Sequence, residues 1–179
     1  MAAGDSVAQD MTTKEFVIER VFDAPRERVF DVFTQPEHLR KWWGPKMLSV
    51  PIAEFDARPG GKFFLGQRGP DGAMHYNAGT VREIERPSRV VFALHFADAD
   101  RRRVAPPPGT GLPATWDEDI VTSVTFSAEG RRTRMTIRTI SGFTAEWGEK
   151  ARLGWAESLD KLAYAIADDM TVTPTDREI

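Results

Sequence analysis

The residues that carry chemistry in this chain are few, and most are set where they cannot do it together. There are three histidines and no cysteine. Thiolate nucleophiles, disulfides and Cys-ligated zinc are therefore excluded. His38 follows Glu37 in a short helical segment, while His75 and His95 lie 20 residues apart in two alternating segments. No pair has the H-x-x-x-H spacing of a metal site, and no glutamate completes one, so no metal is expected. Ser141-Gly142 and Ser158 lack a His-Asp context, and G-x-S-x-G does not occur. Gly60-Gly61 belongs to neither a phosphate loop nor a dinucleotide fingerprint and reads as turn chemistry. No cofactor is implied. The Arg101–Arg103 run stands beside Asp98 and Asp100 and reads as a solvated loop, not a nucleic-acid patch.

Three groups keep a functional reading. Trp42, Trp43, Phe55, Phe63, Phe92, Trp147 and Trp155 are suited to wall a cavity around an apolar molecule, or else to fill a core. Arg20 shares the phase of Ile18 and Phe22. If it faces inward it needs a partner, for which Glu54 and His75 are candidates; otherwise it lies at a strand end and reaches water. His75 in a cavity would suit acid–base work, since imidazole titrates near neutrality.

The elements that must position these groups follow from periodicity. Lys14 to Phe22 alternates and predicts a strand, stopped by Asp23-Ala24-Pro25. Val29, Phe30 and Phe33 form the stripe of a short helix. A second short helix restarts at Thr34-Gln35-Pro36, carries Leu39 and ends at Trp42-Trp43-Gly44-Pro45. Leu48 to Ala57, a segment from Lys62, His75 to Glu85, and Arg89 to Phe96 predict four strands joined by Gly/Pro turns. Asp98 to Glu118, with Pro106-Pro107-Pro108, is a long loop of the kind that serves as a lid or binding loop. Ile120 to Ser127 and Thr133 to Ile140 form a hairpin. Beyond a Thr144 cap, Trp147, Ala151, Trp155, Leu159, Leu162 and Ile166 make one helical stripe. Gly148 and Gly154 interrupt it, at about 1 kcal/mol each relative to Ala. The fold class is α+β: a curved antiparallel sheet of about seven strands wrapped around a long C-terminal helix, with two short helices after the first strand.

The bulk numbers bound the rest. The 179 residues suit one domain with a core of its own. Residues 1–13 read as a disordered leader, 14–168 as the domain and 169–179 as a flexible tail. A net charge of −3 does not favour nucleic acid. No apolar run approaches a membrane span or a signal peptide, which makes the cytoplasm the default location.

Several motifs together resemble the SRPBCC superfamily: Arg20-Val-Phe-Asp-Ala-Pro25 with Val29-Phe30, Gln35-Pro36-Glu37-His38-Leu39, Trp42-Trp43-Gly44-Pro45, Arg58-Pro59-Gly60-Gly61, Gly79-Thr-Val81 and Gly154-Trp155. Their order resembles the branch named for the C-terminal domain of the activator of the heat shock protein 90 ATPase. The resemblance implies a START-like or Bet v-like helix-grip fold with a cavity between sheet and helix. It says little of activity, because the superfamily holds lipid carriers, hormone binders, cyclases and co-chaperone domains. The co-chaperones carry a further N-terminal domain that binds the chaperone; only 13 residues precede the first strand here, which speaks against a chaperone partner.

Three functions follow as expectations. The first is a protein, monomeric or homodimeric, that encloses a small hydrophobic molecule between the sheet and residues 147–166. The second is a cyclase- or isomerase-type enzyme using His75, Arg20 or Glu54 in the same cavity. The third is a stress-related interaction domain using an outer face or the 98–118 loop.

Overall fold

The structure, a computed structural model, describes residues 14–171. The first strand, β1 (Lys14–Phe22), is followed by α1 (Arg26–Thr34) and α2 (Pro36–Trp42). Six strands come next: β2 (Ser49–Phe55), β3 (Lys62–Arg68), β4 (Met74–Glu85), β5 (Arg89–Ala97), β6 (Ile120–Glu129) and β7 (Arg132–Ser141). The long helix α3 (Ala145–Thr171) closes the order. The strands form one antiparallel sheet in the order β1-β7-β6-β5-β4-β3-β2. The α+β helix-grip architecture is the one the sequence implies. Register shifts between Ser49 and Ile52 and between Val81 and Glu83 bend the sheet, as an extra residue in one strand does. Among the described residues no helix is long and apolar enough to cross a membrane.

Alternation assigns each strand residue to a face. Opposed pairs such as Leu65–Asn77, Phe92–Thr122 and Thr122–Thr139 place Leu65, Asn77, Phe92, Thr122 and Thr139 toward α3. The main core joins Val29, Val32, Phe33 and Leu39 of the short helices to Val124, Phe126 and Ile137 of the sheet and to Leu159 and Leu162 of α3. The convex face carries its own small apolar cluster of Phe64, Ala78 and Ala97, packed by Ile52 and Tyr76. Phe64 and Tyr76 stack at 5.5 Å, and the Arg101 guanidinium lies 4.5 Å over the Phe64 ring, within cation–π range.

The two edges of the sheet differ. On β1, Glu15 and Glu19 accept from Arg138 and Arg134 of β7. On β2, Pro51 removes a backbone donor, and its carbonyl accepts from Arg40 of α2.

The 27 residues of α3 span about 40 Å. Thr144 Oγ1 accepts from the Trp147 amide at 3.2 Å, so the expected cap is present. The helix ends later than its stripe suggests. It runs to Thr171, where residues from 169 on read as tail. The cause is Asp169, which is buried, pairs with Arg28 of α1 and lies 3.5 Å from His38 Nε2 of α2. That cluster fastens the C-terminal turns to both short helices. The remainder of the expected tail and the whole of the expected leader lie outside the described residues.

Removing one partner of a buried ion pair typically costs 3–5 kcal/mol. Arg28 is about a third exposed, which reduces this through solvent screening. Asp169→Ala is expected to lower unfolding free energy by about 2 kcal/mol in urea titration. A frayed position would show no change.

Candidate functional site

Between the inner sheet face and the N-terminal half of α3 lies a cavity of about 620 Å³, partly open to solvent. This falls in the range of small-molecule sites, about 300–1,000 Å³. The reason for the gap is visible along α3. Leu159, Leu162 and Ile166 are buried, whereas Ala151 and Trp155, on the same stripe, and Gly154 beside them are only partly so. The C-terminal half of the helix meets α1, α2 and the sheet, and Trp147 near its start packs on Phe16 of β1; the stretch from Ala151 to Trp155 between them stands off the sheet.

Three elements close the space. Its floor is Leu94 and Phe96 of β5, Ile120 and Thr122 of β6 and Thr139 of β7. One wall is the α2–β2 loop, through Trp43, Gly44, Pro45 and Leu48. Lys161 of α3 holds this loop by donating to the carbonyls of Trp43, Gly44, Pro45 and Leu48 at 3.0–3.4 Å. Burial lowers the pKa of its ammonium from the ordinary lysine value, and Glu157 opposes the shift. The other wall is the long loop, through Val104, Pro107, Pro108, Gly109 and Thr110. It too is tied to the helix end: Lys150 Nζ donates to Gly109 O and Thr144 Oγ1 to Gly111 O, both at 2.6 Å.

The candidate aromatics divide. Trp43, Trp147 and Trp155 line the cavity. Trp43 and Trp155 meet edge to face at 5.6 Å and 76°, and Trp147 leans on Phe143 at 4.8 Å. Trp42 does not line it. Its ring is fully buried, and its indole N–H donates to Val32 O at 2.9 Å. Phe55, Phe63 and Phe92 also lie away from it. They pack edge to face or stacked at 5.8 Å around a crevice of about 10 Å³, one water at most.

The candidate polar groups do not converge. His75 lines the cavity from an exposed position at the end of β4. Arg20 faces inward, as its phase suggests, but neither Glu54 nor His75 is its partner. Its guanidinium donates to Asp160 of α3 at 2.9 Å. Glu54 instead forms a two-pronged pair with Arg101 on the convex face, and the Arg101 guanidinium holds its carboxyl below the usual carboxylate range. Arg20 and Glu54 are therefore absent from the cavity lining. His38 sits in the Asp169 corner, and His95 lies 3.9 Å from Asp119. Among the described residues no group of three metal-ligating side chains occurs.

Sequence reasoning missed the polar residues that do line the cavity. Gln67 Nε2 donates to Asn77 Oδ1 at 2.9 Å across β3 and β4. Thr122 and Thr139 share one hydroxyl hydrogen bond at 3.0 Å. Gln67 continues the inward phase of Phe63 and Leu65, and this alternation is the signal that would have found it.

Gly148 and Gly154 have different reasons. A Cβ on Gly148 would come within 2.9 Å of the Phe143 ring. A Cβ on Gly154 would meet only Pro45, at an ordinary 3.6 Å. Gly154→Ala is therefore expected to raise unfolding free energy by about 1 kcal/mol, the helix-propensity difference. Gly148→Ala should gain less or lose. Paired thermal melts check the contrast.

Comparison with known proteins agrees with this fold. The family model described as activator of Hsp90 ATPase homolog 1-like protein matches residues 23–167. A Chromobacterium violaceum protein of known structure is similar at 28% identity and TM-score 0.70, over 85% of this chain and 96% of that one. A Mycobacterium smegmatis protein is similar at 25% identity and TM-score 0.66, over 92% and 95%. The AHSA1 protein of Silicibacter pomeroyi shares the fold at 24% identity and TM-score 0.72, over 87% and 99%. No curated protein matches the sequence.

Proposed function

Given that the chain belongs to the family of activator of Hsp90 ATPase homolog 1-like proteins, we propose that it binds a small hydrophobic molecule in the cavity between the sheet and the N-terminal half of α3. The observation that carries this reading is the half-covered helix stripe. Trp43 and Trp155 stand beside a space of about 620 Å³ where a packed core would place side chains. Apolar surface left in contact with water costs roughly 25 cal/mol per Å², and an apolar guest would recover it.

The cyclase- or isomerase-type alternative is less favoured. Two of its three named groups, Arg20 and Glu54, are paired elsewhere, and no carboxylate lines the cavity. The interaction-domain alternative would use an outer face or the 98–118 loop, two of whose three arginines are engaged within the molecule. Arg101 binds Glu54, and Arg103 binds Asp119 and the carbonyls of Asp117 and Glu118.

The test uses N-phenyl-1-naphthylamine, an uncharged dye that brightens in apolar surroundings. Saturable binding to the full chain is expected. Ala151 lines the cavity, and Ala151→Phe should weaken binding at least about tenfold by occupying the space, with the melting temperature kept or raised. No binding, or binding indifferent to Ala151→Phe, would overturn the reading.

A further inference from the structure

The cavity is selective in its polar content. Gln67, Thr122 and Thr139 are each at least nine-tenths buried and line it, and all three are uncharged. Among the described lining residues there is no carboxylate, and the one lysine, Lys150, is already held by Gly109 O and Glu146 Oε1. The Gln67–Asn77 pair is the principal polar feature. Gln67 Oε1 is turned against the α2–β2 loop, so close that a Cβ on Gly44 would fall 2.3 Å from it. Gln67 Nε2 is used on Asn77 Oδ1. Asn77 lines the cavity, and its amide NH₂ makes no hydrogen bond to any described residue. The pair therefore offers the cavity a neutral donor with an adjacent acceptor. The Thr122–Thr139 pair holds one hydrogen between two oxygens, so one hydroxyl hydrogen is also left to give.

From this arrangement we infer that the cavity takes an uncharged molecule bearing a carbonyl- or carboxamide-type group that docks on Asn77 beside Gln67, with an apolar ring system laid against Trp43 and Trp155, and that it rejects carboxylates of the same shape. The inference rests on the binding function proposed above and adds its ligand class. The physics is desolvation. A carboxylate laid against Asn77 and Gln67 gives up its hydration and meets no buried cation, since Lys150 is held and His75 stands at the exposed end of β4, a loss that neutral donors only partly offset. A carboxamide gives up less and recovers two hydrogen bonds, because it matches Asn77 donor to acceptor.

Displacement of N-phenyl-1-naphthylamine from the full chain at neutral pH tests this with three competitors of one skeleton: biphenyl, biphenyl-4-carboxamide and biphenyl-4-carboxylate. The carboxamide should displace the dye at a concentration at least about tenfold below that of the carboxylate. In Asn77→Leu, which keeps shape and removes the amide, the carboxamide should lose its advantage over biphenyl, each displacement being read against the variant's own dye affinity. Equal displacement by carboxamide and carboxylate in the wild-type chain would overturn the ligand class and leave the binding function standing. So would an undiminished carboxamide advantage in a folded Asn77→Leu variant. Failure of the dye itself to bind would overturn the binding function instead. The wild-type comparison decides the matter even if Asn77→Leu does not fold.

Discussion

Everything in this molecule depends on how one long helix is fastened to a sheet that bends away from it. An apolar stripe on a helix must be covered, and a curved sheet cannot follow a straight helix over about 40 Å. The chain resolves this at the C-terminal half. There α1 and α2 fill the angle, Asp169 ties the last turns to Arg28 and His38, and Leu159, Leu162 and Ile166 sink into the core. What is left at the other half is the space bounded by Trp155, Gly154 and Ala151. The cavity is thus the geometric remainder of a helix gripped at one end.

The walls of that space are attached to the helix as well as to the sheet. Lys161 gathers four carbonyls of the loop carrying Trp43 and Pro45. Lys150 and Thr144 hold the long loop at Gly109 and Gly111. A partly buried ammonium is costly unless its protons are met, and backbone carbonyls meet them here, with Glu157 close enough to oppose the lowering of its pKa.

How far the sequence carried is clear from particular residues. Periodicity alone reads the strands and the Trp147–Ile166 stripe, because one-sided burial leaves a regular trace. It also reads the inward phase of Arg20. It cannot read Arg20's partner, since Asp160 lies 140 positions away on another element, and only the packing of α3 across β1 joins them. The aromatic set was legible as apolar mass, not as location. Trp42 and Trp43 are neighbours in sequence; one is entirely inside, and the other faces the cavity, because α2 ends between them. Gln67 and Asn77 escaped notice because each is unremarkable alone. Their meaning comes from the β3–β4 register, which opposes Gln67 to His75 and Leu65 to Asn77 and so makes Gln67 and Asn77 diagonal neighbours on the inner face.

Pro51 and Arg40 at the β2 edge have a consequence of a different kind. An open sheet presents unpaired backbone groups along its edge strands and can recruit a foreign strand there, and so polymerise. At β2 the proline withdraws a donor from that side, and the arginine occupies the adjacent carbonyl. At β1 the glutamates and arginines crowd the margin with charge. Shielded margins keep the two ends of the sheet from templating a foreign strand, so the curvature that opens the space under α3 does not come with an aggregation-prone edge.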